Sequence, residues 1–456
     1  MLIRDIIKAT NGTLIKGKDS LRVSGISIDS RTIKRGDLFI AIRGKNFDGH
    51  DFIDQVIKKS ASAIVVSNNH AILKRNIPII KVADTTKTLG QIARFHRDRF
   101  NIPVIAITGS AGKTTTKEMV ATVLNTRYNV LKNIATQNNH IGVPLTLLKL
   151  NKSHDVVVVE LGTNHFGEIR WLAEIANPTI ALLTNIGESH LEFFKNLSGV
   201  FKEKLQMIVH MRPSGRVIFN SDDPYLRKIE TKKIRHRLIK FGLKPPSDYQ
   251  ADNIKIHNGP FLEFRVNRHI IFILKTPAKH NVYNALAAIS CGRLFKIKYE
   301  EIKKALKHFR FPKGRQLIHK IGPWKVIDDT YNANPVSVRS AIETLSQLNT
   351  TGRKILVCAD MLELGRQSQR LHRAMGDLVA SLPLDLVITI GRFSKSISQV
   401  AKKRNGSLQA YHYLSLDEAN RRLKNYIKPG DTILLKGSRS MHMERMLIFL
   451  EKTARA

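Results

Sequence analysis

The sequence predicts an α/β protein of three domains: a small α/β N-terminal domain, a central P-loop-type domain with a mostly parallel sheet and helices on both faces, and a C-terminal Rossmann-like domain. The first observation is length, because 456 residues are about three times the ~150 of an ordinary domain. The second is that β-branched, apolar runs alternate with helical patterns, as in parallel sheets buried on both faces. The third is a glycine-rich turn between one such run and a helical pattern.

The first 84 residues hold short β-like runs separated by glycine-containing turns. These runs read "LFIAIRG", "SAIVVSN" and "IPIIKVAD". Runs of this length, bounded by turn residues, are typical of short strands. Residues 1–84 are therefore predicted to form the small N-terminal domain.

Residues 85–313 carry longer apolar runs that alternate with helical patterns. The runs are "PVIAITG", "DVVVVELG", "TIALLTNIG" and "GRVIFNSDD". Apolar residues at helical spacing follow the first run (Met119, Val120, Val123 and Leu124) and recur later (Val282, Leu286 and Ile289). This region is predicted to form the central domain.

Residues 314–456 contain a second series of strand-like runs and are predicted to form a second doubly wound sheet. The runs are "KVIDDTYN", "KILVCAD", "LDLVITIG" and "DTILLKGSR". In both series polar residues stand where a strand is predicted to end, namely Glu160, Asn185, Asp328, Asp329 and Asp360. Open α/β sheets bind ligands at the carboxyl ends of their strands. The site is therefore expected in a cleft between domains.

The charge of the chain restricts its partners only partly. There are 75 Lys and Arg against 37 Asp and Glu, a formal charge of +38, which suits nucleic acid, anionic membranes or phosphorylated substrates. The densest basic stretch, residues 227–244, lacks the interleaved aromatic residues of a strand-binding platform. It is interpreted as a solvated basic face, and no nucleic-acid partner is predicted.

Targeting and redox signals point to a soluble cytoplasmic protein. The N-terminal residues show no signal-peptide pattern, and no apolar run reaches the roughly 18 residues of a membrane span. The two cysteines, Cys291 and Cys358, lie far apart and outside any metal-binding motif, so neither a disulfide framework nor a zinc site is predicted.

The stretch "ITGSAGKTTTKEM" at residues 107–119 predicts a phosphate-binding loop. A glycine-rich turn before a helix lets backbone N–H groups meet phosphate oxygens. A following lysine reaches the β- and γ-phosphates, and a hydroxyl ligates Mg²⁺. The loop is shorter than the common form, because Ile107 stands where its first glycine belongs. The residues expected to bind ATP are Gly109, Ser110, Ala111, Gly112, Lys113, Thr114 and Thr115.

Two strand-end residues are candidate ligands for the ATP-bound Mg²⁺, which needs further hard or imidazole donors. Glu160 directly follows one predicted strand, and His190 in "TNIGESHLEFF" follows the next. The alternative interpretations are an ordinary strand-end acid and a structural histidine.

Several motifs together resemble the Mur ligases of peptidoglycan synthesis over nearly the whole chain. They are the shortened loop "TGSAGKTTT", "DSRTIKRGDLFIAIRGKNFDGHDFI", "NNHIGVPLTLL", "ELGTNHFGEI", "HNVYNALAA", "DDTYNANPVS", "DMLELG" and "KGSRSMHME". Departures from the family pattern at His140, Gln206, Ala359 and Lys279 affect substrate-loop detail and not the reaction class.

The resemblance implies an ATP-dependent, amide-forming ligase with three domains. The implied substrates are a UDP-N-acetylmuramoyl-tripeptide and D-alanyl-D-alanine, joined through an acyl phosphate, and a monomer is expected. Two alternatives remain at this stage: a folylpolyglutamate synthetase-like ligase, which uses the same ATP chemistry, and a nucleic-acid-stimulated P-loop ATPase, which would explain the charge.

The resemblance also implies roles for individual residues. Nucleotide contacts from the second and third domains are implied for Asn284, Arg315 and Asp329, and substrate contacts for Ser30, Arg31, Asn138, Asn332 and Asn334. A carbamylated lysine that bridges two Mg²⁺ ions aligns with Lys204, although Lys202 remains an alternative. The implied catalytic residues are Lys113, Glu160, His190 and Lys204, and the implied metal ligands are Thr114, Glu160, His190 and Lys204.

Overall fold

The computed structural model describes residues 1–44, 46–67, 77–231, 234–257 and 260–455. Within these residues the strands form three sheets, one in each of three successive stretches of chain. The predicted three-domain α/β fold is confirmed. In the described part of the chain, no helix combines the length and the apolar character needed to cross a membrane.

The first unit is a five-stranded sheet near the N-terminus. Its elements are α1 (Ile3–Thr10), β1 (Thr13–Lys16), β2 (Ile26–Ser27), β3 (Leu38–Ile40), α2 (Ile53–Lys58), β4 (Ala63–Val66) and β5 (Ile79–Lys81), and α3 (Thr85–Asp98) connects this sheet to the second unit. The strand order is β1-β5-β4-β3-β2, with only β1 antiparallel to its neighbour. The three runs predicted here as strands correspond to β3, β4 and β5.

The second unit is a nine-stranded sheet that carries the glycine-rich loop. Its elements are β6 (Val104–Thr108), α4 (Lys113–Leu124), β7 (Val130–Lys132), α5 (Gly142–Leu147), β8 (Val156–Glu160), α6 (Glu168–Ala176), β9 (Ile180–Leu183), α7 (Leu191–Phe194), α8 (Leu197–Val209), β10 (Arg216–Asn220), β11 (Arg237–Gly242), β12 (Tyr249–His257), β13 (Phe261–Val266), β14 (Ile270–Leu274), α9 (Asn281–Leu294) and α10 (Tyr299–Lys307). The order is β14-β13-β12-β11-β10-β9-β6-β8-β7.

Strands β6 to β12 of the second unit are parallel to one another wherever they pair. Every residue of β6, β8 and β9 is buried, as their continuous apolar runs require. Helices α4 and α9 pack on one face, and α6 and α8 pack on the other. The predicted mostly parallel sheet with helices on both faces is confirmed.

Strands β13 and β14 extend this sheet as an antiparallel hairpin partnered by β12. In β13 exposed or half-buried residues alternate with buried ones. Only every second residue therefore has to be apolar, whereas a central strand is apolar along its whole length. The basic stretch at residues 227–244 also contributes a strand, β11 (Arg237–Gly242). Residues 232–233 of that stretch lie outside the described residues.

The third unit is a six-stranded sheet with helices on both faces. Its elements are β15 (Leu317–Ile321), β16 (Trp324–Asp329), α11 (Pro335–Gln347), β17 (Lys354–Ala359), α12 (Ser368–Ala380), β18 (Leu386–Ile390), α13 (Lys395–Arg404), β19 (Gln409–Tyr413), α14 (Leu416–Leu423), β20 (Thr432–Lys436) and α15 (Glu444–Thr453). The order is β15-β16-β20-β17-β18-β19, with only β15 antiparallel. The four predicted runs correspond to β16, β17, β18 and β20.

The units pack against one another through shared apolar surfaces. On helix α3, Leu89 and Ile92 join the core of the first unit, whereas Ala93 joins the core beneath the second sheet. That second core continues into the third unit, where Ala333 and Leu364 belong to it. This shared packing brings cleft residues from the second and third sheets together.

Replacing Arg97 of α3 with Met is expected to lower the free energy of unfolding by about 3 kcal/mol. The Arg97 side chain is fully buried and donates to the carbonyl oxygens of Ala176, Phe100 and Ile102 at 2.9, 2.8 and 3.2 Å. Methionine would leave three carbonyls without their partner. Urea unfolding measures the change.

Arg94→Met is the matched control on the same helix. Arg94 pairs with Asp98 at 3.8 Å with 54% of its side chain exposed, and exposed pairs contribute roughly 0–1 kcal/mol. Equal effects of the two substitutions would contradict the role given to Arg97.

Candidate active site

The phosphate-binding loop connects the end of β6 to the start of α4 and depends on two glycines. Gly112 has φ +81°, and a Cβ there would lie 2.6 Å from Asn284 Oδ1. At Gly109 a Cβ would lie 1.9 Å from Thr184 Oγ1. Both positions therefore exclude any side chain, because neighbouring polar groups approach the backbone closely.

The strand-end segment after β9 holds this loop in place. The backbone N–H of Ala111 donates to Asn185 Oδ1 at 2.9 Å, and Thr184 Oγ1 donates to Ala111 O at 2.7 Å. Ser110 Oγ donates to Gly187 O at 2.9 Å. These bonds fix the loop where the backbone N–H groups at the start of α4 face the cleft, the arrangement that receives anions.

Gly112→Ala is expected to weaken ATP binding at least tenfold because the added methyl group would displace Asn284 from the loop. Gly167→Ala is the matched control, since Gly167 also has a positive φ (+91°) but has no atom within 4 Å of an added Cβ. Both variants should lose about 1–2 kcal/mol of stability from the left-handed backbone. Calorimetric titration with ATP should separate them, and unchanged affinity in Gly112→Ala would contradict the loop assignment.

Lys113 starts α4 and lines the cleft. Its ammonium group donates to Gly109 O at 2.9 Å, so the side chain curls back over the loop. Burial lowers the pKa of Lys113, the charge of Glu160 opposes that shift, and the charge of Arg315 adds to it. A desolvated cation beside an anion-binding loop is suited to receive a phosphate group.

Glu160 stands at the end of β8 with both carboxylate oxygens engaged. Thr114 Oγ1 donates to Oε2 at 2.8 Å, and Asn138 Nδ2 donates to Oε1 at 2.7 Å. Arg315 Nη2 from the third unit donates to Thr114 Oγ1 at 3.0 Å. A guanidinium cation thus already lies beside the hydroxyl and the carboxylate that were predicted to ligate Mg²⁺.

The donors at this point fit an Mg²⁺ ion that arrives on a nucleotide. One hydroxyl and one carboxylate provide hard oxygen ligands, and Mg²⁺ in such sites takes the remainder from phosphate and water. Among the described residues, no group of three or more His, Cys, Asp or Glu side chains could hold a metal unaided. The hydroxyl of Thr114 and the carboxylate of Glu160 therefore suit an ion that is shared with the phosphates.

His190 lines the same cleft as Lys113 and Glu160. Its backbone is left-handed, with φ 52°, and its Nδ1 pairs with the carboxylate of Glu363 from the third unit. This hydrogen bond is the main cause that lowers the pKa of Glu363. His190 thus bridges two units, and its metal-binding role stays a prediction.

Lys204 lies buried on α8, whereas Lys202 is exposed. Burial, together with the charge of Lys113, lowers the pKa of Lys204 well below its usual value, and Glu203 partly opposes this. Such a lysine is held toward the neutral amine. The amine form reacts with CO₂, so burial favours Lys204 over Lys202 as the residue that could become a carbamate.

The cleft has a volume of about 590 Å³ and is lined by residues of the second and third units. Sequence-predicted residues on its wall are Ser110, Ala111, Gly112, Lys113, Thr114, Thr115, Asn138, Glu160, His190, Asn284, Arg315, Asp329, Asn332 and Asn334. Asn284 Oδ1 accepts from Thr116 Oγ1 at 3.0 Å. The Arg315 guanidinium lies over the Tyr331 ring, 4.1 Å from its centroid.

The third unit closes directly onto the loop. Asn334 caps α11 with its side-chain oxygen and donates through Nδ2 to Ser110 O at 3.2 Å. Ser340 Oγ lies 2.7 Å from His280 Nδ1 of the second unit. Burial and the charge of Lys436 lower the pKa of His280 to about 4, so this contact involves a neutral imidazole.

Four predicted site residues do not line this cleft: Gly109, Lys204, Ser30 and Arg31. Gly109 belongs to the phosphate-binding loop, and Lys204 is buried on α8. Ser30 and Arg31 belong to neither of these elements. They lie in the first unit, where both backbone carbonyls accept from Lys59 Nζ at 2.9 Å. The Arg31 side chain is 82% exposed and pairs with Asp29 at 2.8 Å. Their predicted substrate contacts remain predictions.

Several polar residues of the cleft were not predicted from the sequence. Lys436, at the end of β20, donates to Asp329 Oδ2 at 2.6 Å and to Asn332 O at 3.0 Å. Burial raises the pKa of Asp329, and Lys436 opposes that shift. Tyr283 donates to Asp222 Oδ2 at 2.9 Å on the same wall. The strand-end rule applied to "DTILLKGSR" would have found Lys436, whereas no sequence signal pairs Tyr283 with Asp222.

Fold and site together define a protein with three α/β units whose phosphate-binding loop faces a cleft closed by the third unit. Three family models match this chain: "Mur ligase family, catalytic domain" at residues 22–97, "Mur ligase middle domain" at 107–292, and "Mur ligase, glutamate ligase domain" at 314–439. The chain belongs to the Mur ligase family.

Relatives within the family are similar over almost their whole length. The UDP-N-acetylmuramoyl-tripeptide–D-alanyl-D-alanine ligase of Buchnera aphidicola subsp. Baizongia pistaciae is 39% identical and covers 93% of this chain and 92% of that protein. A crystal structure of MurF from Acinetobacter baumannii is 33% identical, with a TM-score of 0.90 over 99% of this chain and 98% of that one. The MurF ligase of Thermotoga maritima, solved in complex with ADP, is 28% identical, with a TM-score of 0.84 over 96% and 99%.

Proposed function

We propose that the protein catalyses ATP-dependent addition of D-alanyl-D-alanine to UDP-N-acetylmuramoyl-tripeptide. The observation that carries the proposal is the single cleft that Lys113, Glu160 and His190 share with Arg315 and Asp329 of the third unit. It joins an anion-binding loop to cations from a second sheet, as phosphoryl transfer to a carboxylate requires. Relatives whose alignments cover more than 90% of this chain carry the name of this ligase.

The reaction has two steps. The terminal carboxylate oxygen of the tripeptide attacks the γ-phosphorus of ATP, the bond from that phosphorus to the bridging oxygen breaks, and ADP leaves. The amine of D-alanyl-D-alanine then attacks the carbonyl carbon of the acyl phosphate. Inorganic phosphate leaves, the amine loses a proton, and an amide bond remains.

Cations must lie between the two anionic reactants for the first step to occur. We assign this role to Lys113 from the second unit, which donates to Gly109 O, and to Arg315 from the third, which donates to Thr114 Oγ1. Thr114 and Glu160 would hold a nucleotide-borne Mg²⁺, which supplies further positive charge at the phosphates. Asn284 and Asp329 would bind the rest of the nucleotide.

Closure of the third unit excludes water from the acyl phosphate. The contacts of Asn334 with Ser110 and of His190 with Glu363 both join the second unit to the third, and they support this role.

We propose domain limits of 1–84, 85–313 and 314–456, with the first domain binding the UDP moiety through Ser30 and Arg31. Asn138, Asn332 and Asn334 would contact the substrates in the cleft.

We further propose that the enzyme acts as a monomer in the cytoplasm. The free thiols of Cys291 and Cys358 are both buried, and burial raises their pKa values. Such unreactive thiols suit a reducing compartment.

The test of the proposed function measures ADP release with different acceptors. We expect release that requires both UDP-N-acetylmuramoyl-tripeptide and D-alanyl-D-alanine, with formation of the UDP-linked pentapeptide. Release with a folate and glutamate would favour the folylpolyglutamate synthetase-like alternative. Release stimulated by DNA or RNA alone would overturn the ligase assignment.

A further inference from the structure

Lys117 is a fully buried lysine on α4, one helical turn after Lys113, and it does not line the cleft. Its ammonium group donates to the backbone carbonyls of Asn133 and Ala135 at 2.6 and 2.8 Å and lies 3.0 Å from Glu118 Oε1. The charge is thus fully hydrogen-bonded and paired, as a buried ammonium must be. Two of its three partners belong to one loop, residues 133–138.

The 133–138 loop is attached to Glu160 at both ends. Asn133 Oδ1 accepts from the Glu160 backbone N–H at 3.0 Å, and Asn138 Nδ2 donates to Glu160 Oε1 at 2.7 Å. Between these ends, Ala135 adopts a left-handed backbone with φ 47°, which a non-glycine residue keeps only when its surroundings hold it. The hydrogen bond to Lys117 is made at this strained position.

The loop also leads to the first unit. It continues into α5, where Leu145 packs against the hydrophobic core of the first sheet. A continuous set of contacts therefore runs from the phosphate-binding helix through Lys117 and the loop to the unit proposed to bind the UDP moiety. Packed elements of this kind carry coupling when two ligands favour the same arrangement.

We propose that Lys117 is a positioning residue that couples nucleotide binding at the phosphate loop to binding of the UDP-linked substrate. Nucleotide at the N-terminus of α4 fixes that helix, and Lys117 then holds the 133–138 loop, with Asn138, in the arrangement that meets the second substrate. A ligand that binds an already ordered loop loses less conformational entropy. This inference rests on the proposed function.

The test is calorimetric titration of UDP-N-acetylmuramoyl-tripeptide with and without a non-hydrolysable ATP analogue and Mg²⁺. In the wild type the analogue should tighten binding of the tripeptide by a factor of about 5–150, the usual range for coupled sites. Lys117→Met should keep its affinity for the analogue and lose the tightening. Lys132→Met is the matched control. Lys132 directly precedes the loop, but its ammonium group donates to Glu118, whereas that of Lys117 donates to two loop carbonyls, so Lys132→Met should keep the tightening.

Hydrogen exchange on the wild type gives a second measurement that does not depend on the folding of a variant. Amides of residues 133–138 should gain protection when the analogue binds. Unchanged exchange there, or full tightening in Lys117→Met, would overturn the coupling while leaving the proposed function intact. Failure of the wild type to bind the UDP-linked tripeptide under any condition would overturn the proposed function itself.

Discussion

Lys113→Met is expected to reduce kcat/KM by about 10³-fold with both substrates present, the size of effect seen when one preorganised charge-stabilising group is removed. The Lys113 ammonium group lies over the phosphate loop, 2.9 Å from Gly109 O. Phosphoryl transfer relies on positioning and charge stabilisation, and methionine keeps the length of the side chain while removing its charge. The rate of ADP release measures the loss.

Stability should respond differently to the same substitution. Burial lowers the pKa of Lys113, so the folded state disfavours the charge, and a neutral side chain of similar length should leave the free energy of unfolding almost unchanged. Lys149→Met serves as a control for the general effect of removing a lysine, because Lys149 is exposed in the same unit. Turnover near wild type in Lys113→Met would contradict the assignment of the phosphate loop.

Lys204→Ala is expected to abolish most of the activity, and excess bicarbonate should not restore it. The amine of Lys204 is buried and its pKa lies well below the usual value, so CO₂ can add to the neutral nitrogen to give a carbamate with loss of one proton. A carbamate replaces a cation by a hard anionic ligand and so reverses the sign of the local charge. Alanine has no nitrogen on which bicarbonate-derived CO₂ could act.

Lys202→Ala is the control for this experiment, because Lys202 lies two residues away on the same helix and is exposed. It should retain nearly full activity. Near-normal ADP release by Lys204→Ala would exclude the carbamate at this position, and a large loss in Lys202→Ala would assign it to Lys202.

The strands that the sequence predicted best are those with continuous apolar runs. β6, β8 and β9 are buried along their whole length, so each appears in the sequence as a continuous apolar run. Strands β13 and β14 of the hairpin and the edge strands β15 and β19 are only partly buried, and they were not predicted from the sequence. Burial on one face leaves half of a strand free to be polar.

Site residues that lie within one short segment of chain could be predicted from the sequence, whereas contacts between distant segments could not. The glycines, Lys113 and Thr114 form one contiguous stretch, and local backbone geometry requires their order. The contact of Arg315 with Thr114 joins residues 201 positions apart in sequence, and the pairing of His190 with Glu363 joins residues 173 apart. No local pattern predicts such pairs, because the packing of two sheets creates them.

The α/β class, the position of the phosphate loop and the strand ends that carry its polar residues could be predicted from the amino-acid sequence, because each depends on contacts within a short stretch of chain. The burial of Lys204 and exposure of Lys202, the contact of Arg315 with Thr114, and the link from α4 through Lys117 to the 133–138 loop emerge only in the folded protein. Those features depend on which surfaces the folded units cover. Burial and charge pairing are properties of the assembled core, and residues far apart in the chain create them together.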